Sequence, residues 1–325
     1  MANPFSLEGK VALVTGANTG LGQAIAVALA EAGAEIAAAG RSEPTETKAA
    51  VEATGRRFLS IKADFGSIEP VQRVIDETVA TFGKVDILVN NAGIIRRADS
   101  IDFREADWDA VMDTNLKVVF FLTQAFARQT LKQGPVDGVA GKVINIASLL
   151  SFQGGIRVPS YTASKSGLAG LTKILANEWA TKGINVNAIA PGYFDTNNTE
   201  ALRADADRNA SILARIPAAR WGKPSDLGGA AVFLASPAAD YVQGITLPWM
   251  AAGWPDSGKI LRGTASKSAG FAPCAFARRL NHAKGAARSA WVGAGSRVLT
   301  VDKSSRGVRG RKRSVHAQFG PVPWR

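Results

Sequence analysis

The sequence predicts an α/β fold: a single doubly wound domain with a parallel sheet, followed by an irregular basic C-terminal tail. Three observations lead there. Short apolar runs alternate with helix-like stretches through the first 248 residues. A cluster of glycines follows the first run directly, and no linker or internal repeat interrupts residues 1–248. Strands separated by helical segments make βαβ units, which place helices on both faces of a parallel sheet.

The elements follow in order. Residues 10–15 are an apolar run ending at glycines, the pattern of a buried strand. Residues 23–32 are alanine-rich and helical, stopped by Gly33. Residues 35–39 read as a second strand and residues 46–54 as a helix. Runs at 58–63, 85–90, 142–147 and 184–190 continue the alternation, and residues 244–248 begin a last strand. Trp249 and Met250 are able to extend it.

Charge divides the chain in two. The net charge is +12, yet residues 249–325 hold 15 Lys/Arg against only Asp256 and Asp302. That leaves 24 Lys/Arg and 25 Asp/Glu in residues 1–248, a nearly neutral body. Cys274, His282 and His316 all lie in the tail. A body without Cys or His excludes Ser-His-Asp and Cys-His mechanisms, metal sites of the usual zinc type and disulfides; no metal is expected. No apolar run reaches the roughly 18–20 residues of a membrane span, so no membrane partner is expected. The N-terminus lacks the basic and apolar regions of a signal peptide, which predicts a cytoplasmic protein.

Gly16, Gly20 and Gly22 lie where the first strand turns into the first helix, in Thr15-Gly16-Ala17-Asn18-Thr19-Gly20-Leu21-Gly22. Backbone N–H groups at a helix N-terminus must approach a pyrophosphate closely, and a Cβ would obstruct them. Loops also use glycine for turns, so the position after a strand and before a helix is what carries the dinucleotide reading.

Tyr161 and Lys165 are four residues apart on a helix beginning near Ser160 and share a face. A free phenol, with a pKa of about 10, is no base at neutral pH. A neighbouring ammonium favours the phenolate, so Lys165 is expected to lower the pKa of Tyr161. Ser148 follows the strand at 142–147 and is able to orient a substrate oxygen. A lone Tyr-x-x-x-Lys is also what an ordinary amphipathic helix carries. With Ser148 and the glycine turn present, the pattern points to hydride transfer between a nicotinamide and a carbonyl.

Taken with Asn90-Asn91-Ala92-Gly93 and Pro191-Gly192, these motifs resemble the short-chain dehydrogenase/reductase family over residues 7–248. The resemblance implies a Rossmann-type domain and a catalytic set of Asn115, Ser148, Tyr161 and Lys165, with Asn115 linking the lysine to solvent through water. It implies cofactor contacts from Gly16, Asn18, Gly20, Leu21 and Gly22, from Asp64 at the adenine, and from Asn91 and Gly93. It further implies that Tyr161 and Lys165 face the cofactor and that Pro191, Gly192 and Thr196 hold the nicotinamide amide. The choice of cofactor is divided. Arg41, at the end of the second strand, suits the 2′-phosphate of NADP, whereas the lack of a basic residue at Ala17, Asn18 or Thr19 suits NAD. The resemblance favours NAD and leaves NADP open.

Loops at the carboxyl ends of the strands form the substrate crevice. Arg96 and Arg97 follow the Asn-Asn-Ala-Gly turn, and Arg157 lies between Ser148 and Tyr161. Arginine forks carboxylates, so three converging guanidinium groups predict an anionic, polyhydroxy substrate. Residues 151–165, 94–97 and 190–199 resemble the group of 2-deoxy-D-gluconate 3-dehydrogenases, also described as 2-dehydro-3-deoxy-D-gluconate 5-dehydrogenases. That implies a small-molecule sugar acid as substrate and a homotetramer, unless the altered C-terminus blocks assembly. The alternatives are a reductase of another carbonyl, such as a 3-oxoacyl thioester, and a non-catalytic dinucleotide-binding scaffold.

The tail departs from the resemblance, which leads one to expect a Val-Asp-Gly-Gly turn after the last strand. Residues 248–256 must be coded CCN TGG ATG GCN GCN GGN TGG CCN GAY. Read from the third base of the proline codon, this permits Val-Asp-Gly-Gly-Trp-Leu-Ala-Arg. The domain is therefore expected to span residues 1–248, with residues 249–325 a disordered, out-of-frame ending. A basic nucleic-acid arm centred on Gly310-Arg311-Lys312-Arg313 is the other reading of that tail; no nucleic-acid partner is expected.

Overall fold

The structure, a computed structural model, describes residues 3–250. The expectations for residues 251–325, including Cys274, both histidines and the basic run at 310–313, lie outside the described residues.

The chain alternates as its apolar pattern predicts. In order come β1 (Val11–Thr15), α1 (Gly20–Glu31), β2 (Glu35–Gly40), α2 (Thr45–Glu52), β3 (Phe58–Lys62), α3 (Val71–Phe82) and β4 (Ile87–Asn90). After them come α4 (Glu105–Met112), α5 (Val118–Gln133), β5 (Gly141–Ile146), α6 (Pro159–Trp179) and β6 (Ile184–Pro191). The last are α7 (Glu200–Ala204), α8 (Ala206–Leu213), α9 (Gly228–Ala235) and β7 (Thr246–Trp249).

All strand pairs are parallel, in the order β3-β2-β1-β4-β5-β6-β7. Alternation along β1 shows how the sheet gets two cores. Ala12 and Val14 pack with Ile25, Leu29 and Val51 from α1 and α2, joined by Leu234 of α9. Leu13, between them, packs with Val74 and Ile75 of α3 and Leu122 and Phe126 of α5. Strands buried on both faces read as continuous apolar runs, as these do. The strand order reverses between β1 and β4, and this switch point opens a crevice at the carboxyl ends of the strands. Among the described residues no helix is long and apolar enough to cross a membrane.

Three local differences from expectation have physical causes. The first helix begins at Gly20 rather than at residue 23, because the glycine turn supplies its first turn. The fourth strand begins at Ile87 rather than at residue 85, because the Gln133 side chain holds both the N–H and the carbonyl of Val85, at 3.0 and 2.9 Å. The last strand runs one residue past the expected boundary at 248. Trp249 pairs with Pro191 and its indole N–H donates to the Asp226 carbonyl at 2.6 Å, whereas Met250 lies beyond the strand. Pro248 is tolerated there because β7 is the sheet edge.

Candidate active site

The crevice has a volume of about 630 Å³, and the glycine turn, the ends of β2, β4 and β5, and the segment after β6 wall it. Its first wall is backbone. Gly16 and Gly20 have φ of +65° and +59°, a region that side chains rarely enter. A Cβ on Gly22 would strike the Gly16 carbonyl, and one on Gly16 would come within 3.0 Å of the Ala92 Cα. Thr19 caps α1 without a side-chain hydrogen bond, and the first turn carries no acid. Helix N–H groups left without a side-chain acceptor, beside a surface that a Cβ would fill, fit a dinucleotide pyrophosphate.

The loop is held from β4. The Asn91 amide donates to the Thr15 and Gly16 carbonyls at 2.9 and 3.0 Å, and the Thr15 hydroxyl accepts from the N–H groups of Asn91 and Ala92, both at 3.0 Å. Thr47, fully buried on α2, donates to the Ala17 carbonyl at 2.7 Å. The bracing roles of Thr15, which opens the glycine motif, and of Thr47 are not visible in the sequence, since neither departs from what a strand end or a helix start ordinarily carries. Asn18, Leu21, Arg41, Asp64, Asn91 and Gly93 all reach the crevice. So do Pro191, Gly192 and Thr196, and the Gly192 N–H donates to the Trp249 carbonyl at 3.1 Å.

The rest of the crevice is lined by side chains. Ser148, Tyr161 and Lys165 all line it, and the Tyr161 phenol lies beside Ser148. The Ser148 hydroxyl also accepts from the Leu150 N–H at 3.2 Å. Lys165 is buried, donates to the Ile146 carbonyl at 2.6 Å, and lies 5.6 Å from the Tyr161 ring centroid. Burial lowers its pKa to about 8.

The expected depression of the phenol does not hold. Burial pushes Tyr161 above its ordinary value, opposed by the Ser148 hydrogen bond and the charge of Arg97. The physical reason is that an occluded phenolate loses water, while the Lys165 ammonium is turned to a backbone carbonyl.

Asn115 lies in a π-helical turn, Asp113–Lys117, between α4 and α5. Its amide accepts from the Ile94 N–H and donates to the Ile94 carbonyl, both at 2.9 Å, and donates to the Ser164 hydroxyl at 3.3 Å. It thus grips the loop after β4 from which the arginines extend.

Those arginines do not converge. Arg96 lines the crevice and pairs with Asp107 at 3.4 Å. Arg97 donates to the Asn198 carbonyl at 3.0 Å, bridging the loop after β4 to the segment after β6. Arg157 pairs with Asp99 at 3.0 Å and has φ of +65°, and neither it nor Arg97 is among the crevice residues. The acids that claim Arg96 and Arg157 lie in other segments, so sequence proximity to Tyr161 carried no information about them.

Comparison with known proteins agrees with this geometry. A family model described as short chain dehydrogenase matches residues 10–207. The 2-dehydro-3-deoxy-D-gluconate 5-dehydrogenase of Dickeya dadantii (strain 3937) is 62% identical over 245 residues, 75% of this chain and 95% of the relative. A provisionally assigned 2-deoxy-D-gluconate 3-dehydrogenase from Agrobacterium tumefaciens, solved with bound NADP, is 62% identical with a TM-score of 0.72, covering 77% of this chain and 98% of that one. A gluconate 5-dehydrogenase from Burkholderia cenocepacia J2315, solved with NADP and tartrate, is 41% identical with a TM-score of 0.69, over 75% of this chain and 95% of that one.

Proposed function

The chain belongs to the short-chain dehydrogenase family, and from that premise we propose that it interconverts a hydroxyl and a ketone on a deoxy sugar acid of the 2-dehydro-3-deoxy-D-gluconate kind. It is an NAD(P)-dependent dehydrogenase acting on CH–OH groups. The observation that carries the reading is that Ser148, Tyr161 and Lys165 line the same crevice as the glycine cradle.

Gly16, Asn18, Gly20, Leu21 and Gly22 would hold the pyrophosphate, and Asp64 the adenine end. Arg41, exposed on the crevice wall at the end of β2, is the residue through which NADP would be preferred over NAD. When bound, the dinucleotide supplies or takes up the hydride. Ser148 and Tyr161 would hold the substrate oxygen between them. Because burial keeps the proton on Tyr161, the phenol stands ready as the acid of the reductive direction. In the oxidative direction it must act as phenolate, the form that the Ser148 hydrogen bond and the Arg97 charge favour. Lys165 and Asn115 brace this wall, the one through Ile146 and the other through Ile94.

Arg97, although outside the residues that line the crevice, is proposed as the arginine that reads the substrate carboxylate. Its charge acts on Tyr161, and its contact among the described residues is a neutral carbonyl rather than an acid. A sugar acid is therefore favoured over a 3-oxoacyl thioester, and Ser148, Tyr161 and Lys165 together in the crevice favour an enzyme over a non-catalytic scaffold.

The test is turnover of the purified protein, followed by nicotinamide absorbance, with 2-dehydro-3-deoxy-D-gluconate, 2-deoxy-D-gluconate and neutral ketoses. Acid-selective turnover is expected. Tyr161→Phe should lower kcat by about 100-fold or more while dinucleotide binding persists; a variant retaining over about a tenth of the rate sinks the assignment.

A cytoplasmic homotetramer is part of the same proposal. Exposed Ile101, Trp108 and Ile174 supply apolar surface for an assembly to cover, and light scattering measures its size. The ending from residue 249 is proposed to be out-of-frame translation; resequencing the locus would overturn this if independent isolates share an unbroken frame.

A further inference from the structure

β5 runs toward the crevice and α6 starts there and runs back, so their facing residues meet as successive rungs. At the crevice Ser148 lies beside Tyr161. One step in, the Lys165 ammonium donates to the Ile146 carbonyl at 2.6 Å. Deeper still, the Asn145 amide donates to the Thr172 hydroxyl at 3.0 Å. Tyr161, Lys165, Leu168 and Thr172 recur at helical spacing along one face of α6.

The deepest rung is one end of a buried chain. Thr172 spends its proton on the Leu168 carbonyl at 2.8 Å, so towards Asn145 it acts as acceptor. Asn145 then presents its carbonyl oxygen to the Asn90 amide at 2.9 Å, across the β4–β5 register. Asn90 also donates to Thr123 of α5 at 2.9 Å, and Thr123 in turn spends its proton on Val119 at 2.6 Å. Each bond fixes the direction of the next, and the Asn90 oxygen has no partner among the described residues. All four side chains are at most 3% exposed. A chain whose donors and acceptors are fixed in this order resists rearrangement, so it sets how far α6 slides along β5.

We propose that Asn145 and Thr172, neither of which walls the crevice, are positioning residues that set the Ser148–Tyr161 geometry. The inference rests on the proton-transfer role of Tyr161 given above. Misplacing a catalytic group by a fraction of an ångström costs rate without changing remote binding contacts.

The test compares the two ends of the chain. Thr172→Val removes the acceptor at the α6 end, and Thr123→Val removes its counterpart at the α5 end. Thr172→Val should lower kcat about tenfold and shift the pH profile of kcat, with the KM for the dinucleotide unchanged. Thr123→Val should lose comparable thermal stability yet keep kcat within about twofold. Thr172→Ser, which restores the acceptor, should recover both kcat and the pH profile. Equal loss of kcat in both valine variants, or a folded Thr172→Val with the wild-type profile, would overturn the proposal. Should Thr172→Val fail to fold, Thr172→Cys, a weaker acceptor of similar size, carries the same test. Full turnover by Tyr161→Phe would instead defeat the reading of the site itself.

Discussion

The glycine cradle and the side-chain wall proposed to react line one crevice, yet they are built of different materials. The cradle is backbone, shaped by the atoms that Gly16, Gly20 and Gly22 lack. The reactive wall is side chains, and what Tyr161, Lys165 and Arg97 do depends on burial and on partners distant in sequence. A wall defined by missing atoms fails abruptly when one is added. A wall of side chains is graded, since each group shifts with its neighbours.

Gly22→Ala breaks the comparison hardest. The added methyl meets the Gly16 carbonyl and the Asn91 amide, which are held by the bonds that shape the loop, so the cradle must deform. Dinucleotide affinity should fall roughly 100-fold while the circular-dichroism melt stays cooperative. Titration of cofactor fluorescence reads the first quantity; an unchanged affinity would mean that the backbone does not form the site.

The arginines sharpen the other side. Arg97→Ala should raise KM for the sugar acid about tenfold or more, the loss of a charge-assisted contact, and leave a neutral ketone nearly unaffected. Arg157→Ala should change KM by less than about threefold, because it removes an exposed pair with Asp99. Steady-state kinetics on both substrates decides. Equal effects at the two positions would show that the ion pairs do not sort the arginines.

The same contrast explains what could be read from the sequence. The glycine turn, Ser148 and the Tyr161–Lys165 spacing were legible because each is a local pattern whose geometry follows from a strand end or a helix turn. The Arg96–Asp107 and Arg157–Asp99 pairs were not, since each joins side chains of separate segments. Nor was the Arg97 contact with Asn198, because its acceptor is a backbone carbonyl that every residue has. The direction of the Tyr161 shift was missed for a related reason: spacing placed a cation near the phenol but did not reveal how far burial would outweigh it. The buried chain through Asn90 and Asn145 was hidden too, because the two residues pair only in the β4–β5 register.

The last expected effect concerns Lys165, where burial and stability are linked through pH. Its pKa is about 8 in the fold against 10.5 ordinarily. Between those values the unfolded chain holds a proton that the folded chain has released, so stability conferred at this position rises with pH across the window. Below about pH 8 the desolvated ammonium is present and its cost is felt in full. Lys165→Met removes the titration, and the difference between the two proteins cancels other alkaline effects. Wild type should therefore gain on Lys165→Met between about pH 8 and pH 10.5, by roughly 3 kcal/mol at most. Thermal melts of both proteins at each end of the window read it. A constant difference would mean that Lys165 keeps an ordinary pKa and its ammonium is solvated, placing the reactive wall closer to open water than its geometry indicates.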